Sequence, residues 1–131
     1  MRDAVIDASV ILAIAKNERI DDSAASIVAG GVMSTANVSE VYAKLVDLKI
    51  DPRSADSLLN TLDRIEPLSL SQARLAGALR ATTRHAGLSL GDRCCLALAL
   101  ELNAEVYTTE HIWDRIDVGC KVHILREKQP Q

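Results

Sequence analysis

The sequence predicts an α/β fold, a three-layer sandwich whose five-stranded, mainly parallel sheet is flanked by helices. Three observations carry this expectation. Five short apolar segments alternate with stretches of helical period, and no tight hairpin signal joins any two of them. Hydrophobic residues make up 48% of the chain but aromatics only 2%, with no Phe. A core of Leu, Ile, Val and Ala suits helices packed on a parallel sheet. At 131 residues the chain is large enough to bury such a core without disulfides or structural metal. Residues 1–125 are expected to form one domain and 126–131 a polar tail.

Ala4 to Ile6 reads as the first strand, running through Asp7-Ala8-Ser9 into a helical pattern that lasts to about Lys16. Asn17 to Asp22 is a loop, Ser23 to Ala29 a helix ended by Gly30-Gly31, and Val32 to Ser34 the second strand. Val38, Val41, Tyr42, Leu45 and Val46 recur on one face of an amphipathic helix, with Asn37 as its cap. Asp51-Pro52 opens the next helix, with Ala55, Leu58, Leu59 and Leu62 on its apolar face. Ile65 to Leu68 is the third strand, Ser71 to Arg84 a helix and His85 to Leu88 a loop. Ser89 caps a helix to Leu102, whose Cys94, Cys95, Leu96 and Leu98 mark it as buried, and Asn103 ends it. Glu105 to Thr108 is the fourth strand, Glu110 to Ile116 a short helix and Lys121 to Leu125 the fifth strand.

The formal net charge of -3 gives no footprint of a protein that holds nucleic acid mainly by attracting phosphates. An RNA or DNA partner therefore needs a local site. Cys94, Cys95 and Cys120 are odd in number and have no C-x-x-C spacing, which excludes a disulfide framework and a zinc site and fits a reducing cytosol. Asp3 and Asp7 interrupt the first apolar residues, so no signal-peptide pattern is present, and no run nears the ~18 residues of a membrane span. A soluble cytoplasmic protein is expected.

Asp7 stands in the middle of an otherwise apolar run, and three more acids sit at equivalent joints between strand and helix. Glu40 follows the second strand, Asp92 opens the helix before the fourth, and Glu110 follows the fourth. Residues beyond the carboxyl ends of parallel strands line a common crevice where ligands bind. Singly, each acid is explained as a helix cap: Asp7 by position, Asn37-x-x-Glu40 and Ser89-x-x-Asp92 by capping-box spacing, Glu110 as a first-turn acid. Capping leaves their shared edge unexplained. Two like charges 4 Å apart at an effective dielectric of 20 repel by about 4 kcal/mol, so such a group calls for a cation or for protonation. All-oxygen ligation favours Mg2+ or Mn2+.

The segments VIDASVILA, NVSEVYAKL, LSLGDRCCLALAL and VYTTEHIW, in that order from about Asp3 to Leu125, together resemble the PIN domain family. The likeness is nearest to the small VapC-type toxins of prokaryotic toxin-antitoxin pairs. It implies a PIN-like three-layer sandwich and Mg2+- or Mn2+-dependent endonucleolytic cleavage of RNA, with an activated water attacking phosphorus in line and leaving a 5'-phosphate. Carried over by position, Asp7 and Asp92 are direct metal ligands, and Glu40 binds metal directly or through water. Ser9 orients Asp7 or a water. Glu110 stands where the family more often has Asp, and Asp114, one turn later, is the alternative for that fourth position. Thr108 supports the site. Trp113 matches an aromatic of that segment, with packing as its simpler role.

Arg80, Arg84, His85, Arg93, His111 and Arg115 fall near the same predicted edge, and Arg84, Arg93, His111 and Arg115 are the candidates for holding substrate. Arg93 adjoins Asp92 at a helix start, where the dipole disfavours a cation that lacks a partner of its own. The resemblance further implies a homodimer and a cognate antitoxin. The rival readings are a PIN-like module that binds RNA or protein without cleaving, which Glu110 favours, and a phospho-accepting receiver-like domain, which lacks its adjacent acids here. Charge repulsion at the site also predicts that Asp92→Asn raises the melting temperature of the metal-free protein, whereas a capping role predicts the reverse.

Overall fold

The computed structural model describes residues 3–127; residues 128–131 of the expected tail lie outside them. Five short parallel strands, β1 (Ala4–Ile6), β2 (Val32–Ser34), β3 (Arg64–Glu66), β4 (Glu105–Thr108) and β5 (Val122–Ile124), form one sheet in the order β3-β2-β1-β4-β5. Register sets Val32, Val5, Val106 and Val122 in one row and Ile6, Tyr107 and His123 in the next. Because side chains alternate along a strand, these rows feed opposite faces. Val5, Val32 and Val106 pack with Leu96, Leu98, Ala99 and Trp113 on one side, and Ile6 and Met33 pack with Val10, Ile11, Val41 and Leu45 on the other.

The helices are α1 (Ala8–Ala15), α2 (Ala24–Val28), α3 (Thr35–Leu48), α4 (Arg53–Leu59), α5 (Leu70–Ala78), α6 (Arg80–Thr83) and α7 (Leu90–Leu102), with 3-10 turns over Arg84–Ala86 and His111–Arg115. As expected for a helix apolar on every side, α7 buries Cys94 through Ala99 without a break. Helix α3 starts a residue after β2, capped by Ser34, whose Oγ accepts from the Ala36 N–H at 3.2 Å. Asn37 is therefore not the cap expected from its spacing to Glu40. Val46, expected on the buried face, is 76% exposed, since it lies a step of helical rotation beyond Leu45 at the edge of the apolar stripe. The expected helix Ser71 to Arg84 is broken at Leu79 and starts a residue early under the cap of Ser69. The hydroxyls of Thr82 and Thr83 both reach back to the Leu79 carbonyl, a bonding that bends helices. Strand β3 ends at Glu66, because Pro67 has no N–H to continue a ladder.

Candidate functional site

Strand order reverses direction between β1 and β4, and a cleft of ≈ 300 Å³ opens at the carboxyl ends of the strands there. Asp7, Glu40, Asp92 and Glu110 all line it, with Ser9, Thr109, Glu18, Lys16, Lys44 and Arg126. Residues from four separate parts of the sequence are thus brought to one place.

Asp7 follows β1 directly and its N–H donates to the Tyr107 carbonyl of β4 at 2.9 Å, so the register that pairs Ile6 with Tyr107 sets Asp7 beside Thr108. It occupies the N-cap position of α1, yet its carboxylate makes no capping bond. Instead Oδ2 accepts from Ser9 Oγ at 2.6 Å and Thr108 Oγ1 at 2.9 Å. Each hydroxyl has a single proton, and in turn accepts a backbone N–H: Thr109 to Ser9 at 3.0 Å, Glu110 to Thr108 at 3.2 Å. The same network that holds Asp7 therefore folds the chain after β4 and places Glu110. Burial pushes the Asp7 carboxyl up from 3.8 to about 7, against the lowering effect of the Ser9 hydrogen bond and with the charges of Asp92 and Glu110 adding to the rise.

Asp92 forms a complete capping box with Ser89: its N–H donates to Ser89 Oγ at 3.2 Å, and its Oδ2 accepts the Ser89 N–H at 2.9 Å. Capping and cleft position coincide in this residue. Glu40 Oε1 accepts from Asn37 Nδ2 at 2.7 Å. Partial burial raises the carboxyls of Glu40 and Glu110 above their ordinary value, and the charge of Asp92 works in the same direction on both. Lys44, one turn after Glu40, opposes the rise in each. Glu18 draws Lys16 to 3.3 Å and Arg126 to 3.0 Å at the rim. The expected polar tail thus begins with a residue of the cleft.

The donor chemistry fits a hard divalent cation. Asp7, Glu40 and Asp92 each commit one oxygen to a protein donor, and the other oxygen of each has no donor among the described residues. Among the described residues no Cys or His lines the cleft. Among the described residues no three His, Cys, Asp or Glu side chains converge closely enough to enclose an ion alone. The spare carboxylate oxygens suit Mg2+, which keeps several waters and uses one or two carboxylates with substrate phosphate rather than an all-protein cage.

Asp114 is not part of the cleft; it is exposed, 3.7 Å from His111 Nδ1, which leaves Glu110 as the acid on the β4 side. Arg84, Arg93, His111 and Arg115 also fall outside the lining. Arg93 is a step of helical rotation from Asp92 and donates to the Ala76 carbonyl of α5 at 2.9 Å. Arg115 donates to the His85 carbonyl at 3.2 Å, and His85 Nε2 lies 2.8 Å from the Arg115 carbonyl, tying the two 3-10 turns together. The cations that do border the acids are Lys16, Lys44 and Arg126, outside the expected set, and for the first two the sequence carries a signal. Ser9, Leu12 and Lys16 share an i, i+3, i+7 stripe, and Glu40, Lys44 and Leu48 an i, i+4, i+8 stripe, so each acidic or hydroxyl residue named its helical neighbours.

Comparison with known proteins follows the same lines. A family model described as the PIN domain matches residues 4–119. Solved structures of similar fold include VapBC2 from Rickettsia felis bound to a DNA fragment from their promoter, 17% identical, covering 93% of this chain and 98% of that one with a TM-score of 0.73. DNA-bound VapBC from Salmonella typhimurium is 15% identical over 94% and 98%, also at 0.73. VapC20 of Mycobacterium tuberculosis, described as a sarcin-ricin loop cleaving toxin, is 14% identical over 91% and 99%, at 0.69. No curated protein matches the sequence.

Proposed function

The chain belongs to the PIN domain family, and from that membership we propose that it is a Mg2+- or Mn2+-dependent endoribonuclease, the toxin of a toxin-antitoxin pair. The observation that carries the reading is the convergence of Asp7, Glu40, Asp92 and Glu110 on one cleft at the β1/β4 switch, three of them with an oxygen to spare. In this reading Asp7, Asp92 and Glu40 hold the cation, with Glu110 as the fourth acid of the set. A bound divalent cation supplies a water of lowered pKa and charge to offset the phosphate oxygens. Ser9 and Thr108 hold Asp7 in one orientation, and the excess of carboxylates attracts the cation before RNA arrives. Lys16, Lys44 and Arg126 then take the flanking phosphates. A cognate antitoxin, a homodimer and a cytoplasmic location belong to the same proposal, which the likeness in fold to VapBC complexes supports. No helix among the described residues is long and apolar enough to cross a membrane.

The test is cleavage of total cellular RNA by purified, antitoxin-free protein with Mg2+ or Mn2+, beside EDTA, Asp7→Asn and Asp92→Asn controls. Discrete fragments with 5'-phosphate ends that vanish in all three controls are the expected result. No cleavage, together with no Mn2+ binding at millimolar concentration, would assign the fold to a binding module instead.

A further inference from the structure

Asn37 is fully buried, and its Nδ2 directs both protons at the site: one to Glu40 Oε1 at 2.7 Å, the other to the Gly91 carbonyl at 3.0 Å. Both partners are acceptors only, which fixes the amide's orientation, since the flipped amide would set oxygen against two oxygens. Its Oδ1 is buried and has no hydrogen-bond partner among the described residues. The amide thus ties the Glu40 side chain to the first turn of the helix that carries Asp92. Gly91 completes the arrangement. Its backbone is ordinary helix, outside the left-handed region, so conformation does not require glycine there. Space does: a Cβ on residue 91 would fall on the carboxylate of Glu40.

We propose that Asn37 and Gly91 form a seat that aims Glu40 into the cleft, positioning residues that act on the cation site through Glu40 alone. The seat joins α3 to the residue preceding Asp92, and so holds the Glu40 carboxylate over the start of α7. The inference rests on the nuclease reading above and gives it a separable part. Asn37→Ala removes the donor, while Gly91→Ala fills the seat; two unrelated changes reach the same displaced carboxylate.

The experiment is calorimetric Mn2+ titration of the wild type, Asn37→Ala, Gly91→Ala, Glu40→Gln and the two double variants, with melting temperatures measured in EDTA. Each single variant should weaken Mn2+ binding about 10- to 100-fold, the range found for partners that orient metal ligands. Gly91→Ala should lower the metal-free melting temperature less than Asn37→Ala does, because alanine favours helix and the displaced group is the end of a flexible side chain. On the Glu40→Gln background neither change should weaken binding further, as required of residues that act through one group. Wild-type affinity in Gly91→Ala, or additive losses in the double variants, would overturn the seat. Gly91→Ala answers the question even where Asn37→Ala does not fold. A wild type that binds no Mn2+ and cleaves no RNA overturns the nuclease reading and the seat with it, whereas a wild type that does both beside an equally tight Gly91→Ala overturns the seat only.

Discussion

Asp7 is ionised only at a cost, and that cost depends on pH. Its carboxyl is raised to about 7 in the fold against 3.8 unfolded, mainly by burial, so the folded chain binds this proton more tightly than the unfolded one. The resulting stabilisation is complete below about pH 4 and lost as pH rises through about 7. On that shift the loss is on the order of 4 kcal/mol. In EDTA, denaturant midpoints of the wild type should fall from pH 4.5 to pH 8, while Asp7→Asn shows a flatter profile and a higher midpoint at pH 8. Lower stability of Asp7→Asn at pH 8 would mean that the hydrogen bonds from Ser9 and Thr108 outweigh burial. The Asp92 carboxylate completes the capping box of α7 beside the positive end of the helix. In the same series Asp92→Asn should give no gain, the outcome that capping rather than repulsion predicts for that residue.

At the scale of elements, the sequence was most informative where burial and local chemistry agreed. The bounds of β1, β2 and β4 were readable, since each is an apolar run closed by a polar joint, and so was α7, with its capping box and its Asn103 end. The start of α3 was not. Thr35, Ala36 and Asn37 carry no apolar period, and Asn37 has cap-like spacing to Glu40 for a different reason: its amide grips that side chain. The four acids were legible as a set because each sits at a joint between strand and helix. The seat made by Gly91 was not, because it depends on how α3 and α7 meet, which no local pattern encodes. Helix ends also show a local conflict. Lys49 closes α3 in the left-handed region, at φ 57, where Asn103 closes α7 at φ 51. Asparagine adopts that conformation at less cost than lysine. Lys49→Gly should therefore stabilise the protein by about 0.5–1 kcal/mol in urea unfolding, with Lys49→Asn between it and the wild type. A destabilised glycine variant would mean that the exposed Lys49 side chain contributes more than its backbone costs.

For the whole molecule, the strand order decides what a net charge of -3 can do. Placing β1 beside β4 gathers Asp7, Glu40, Asp92 and Glu110 at one switch point, so the negative charge is concentrated where RNA would have to enter. Without a divalent cation this cleft repels phosphate, and its cations are few: Lys16 and Arg126 are already engaged by Glu18, which leaves Lys44 nearest to Glu40 and Glu110. RNA binding by such a site should depend on metal more than on bulk charge. Each phosphate neutralised on a single strand contributes about -0.7 to the slope of log K against log salt, so the three cations that line the cleft among the described residues allow a slope no steeper than about -2. Fluorescence anisotropy of a labelled single-stranded RNA in EDTA and in Ca2+, another cation with oxygen preference, measures both quantities. Binding should tighten at least about tenfold with Ca2+ and keep the shallow salt slope, because the ion and not the protein supplies the missing positive charge. Equal affinity in EDTA with a slope steeper than about -4 would require more phosphate contacts than the cleft has cations, and would place the RNA on another face of the protein.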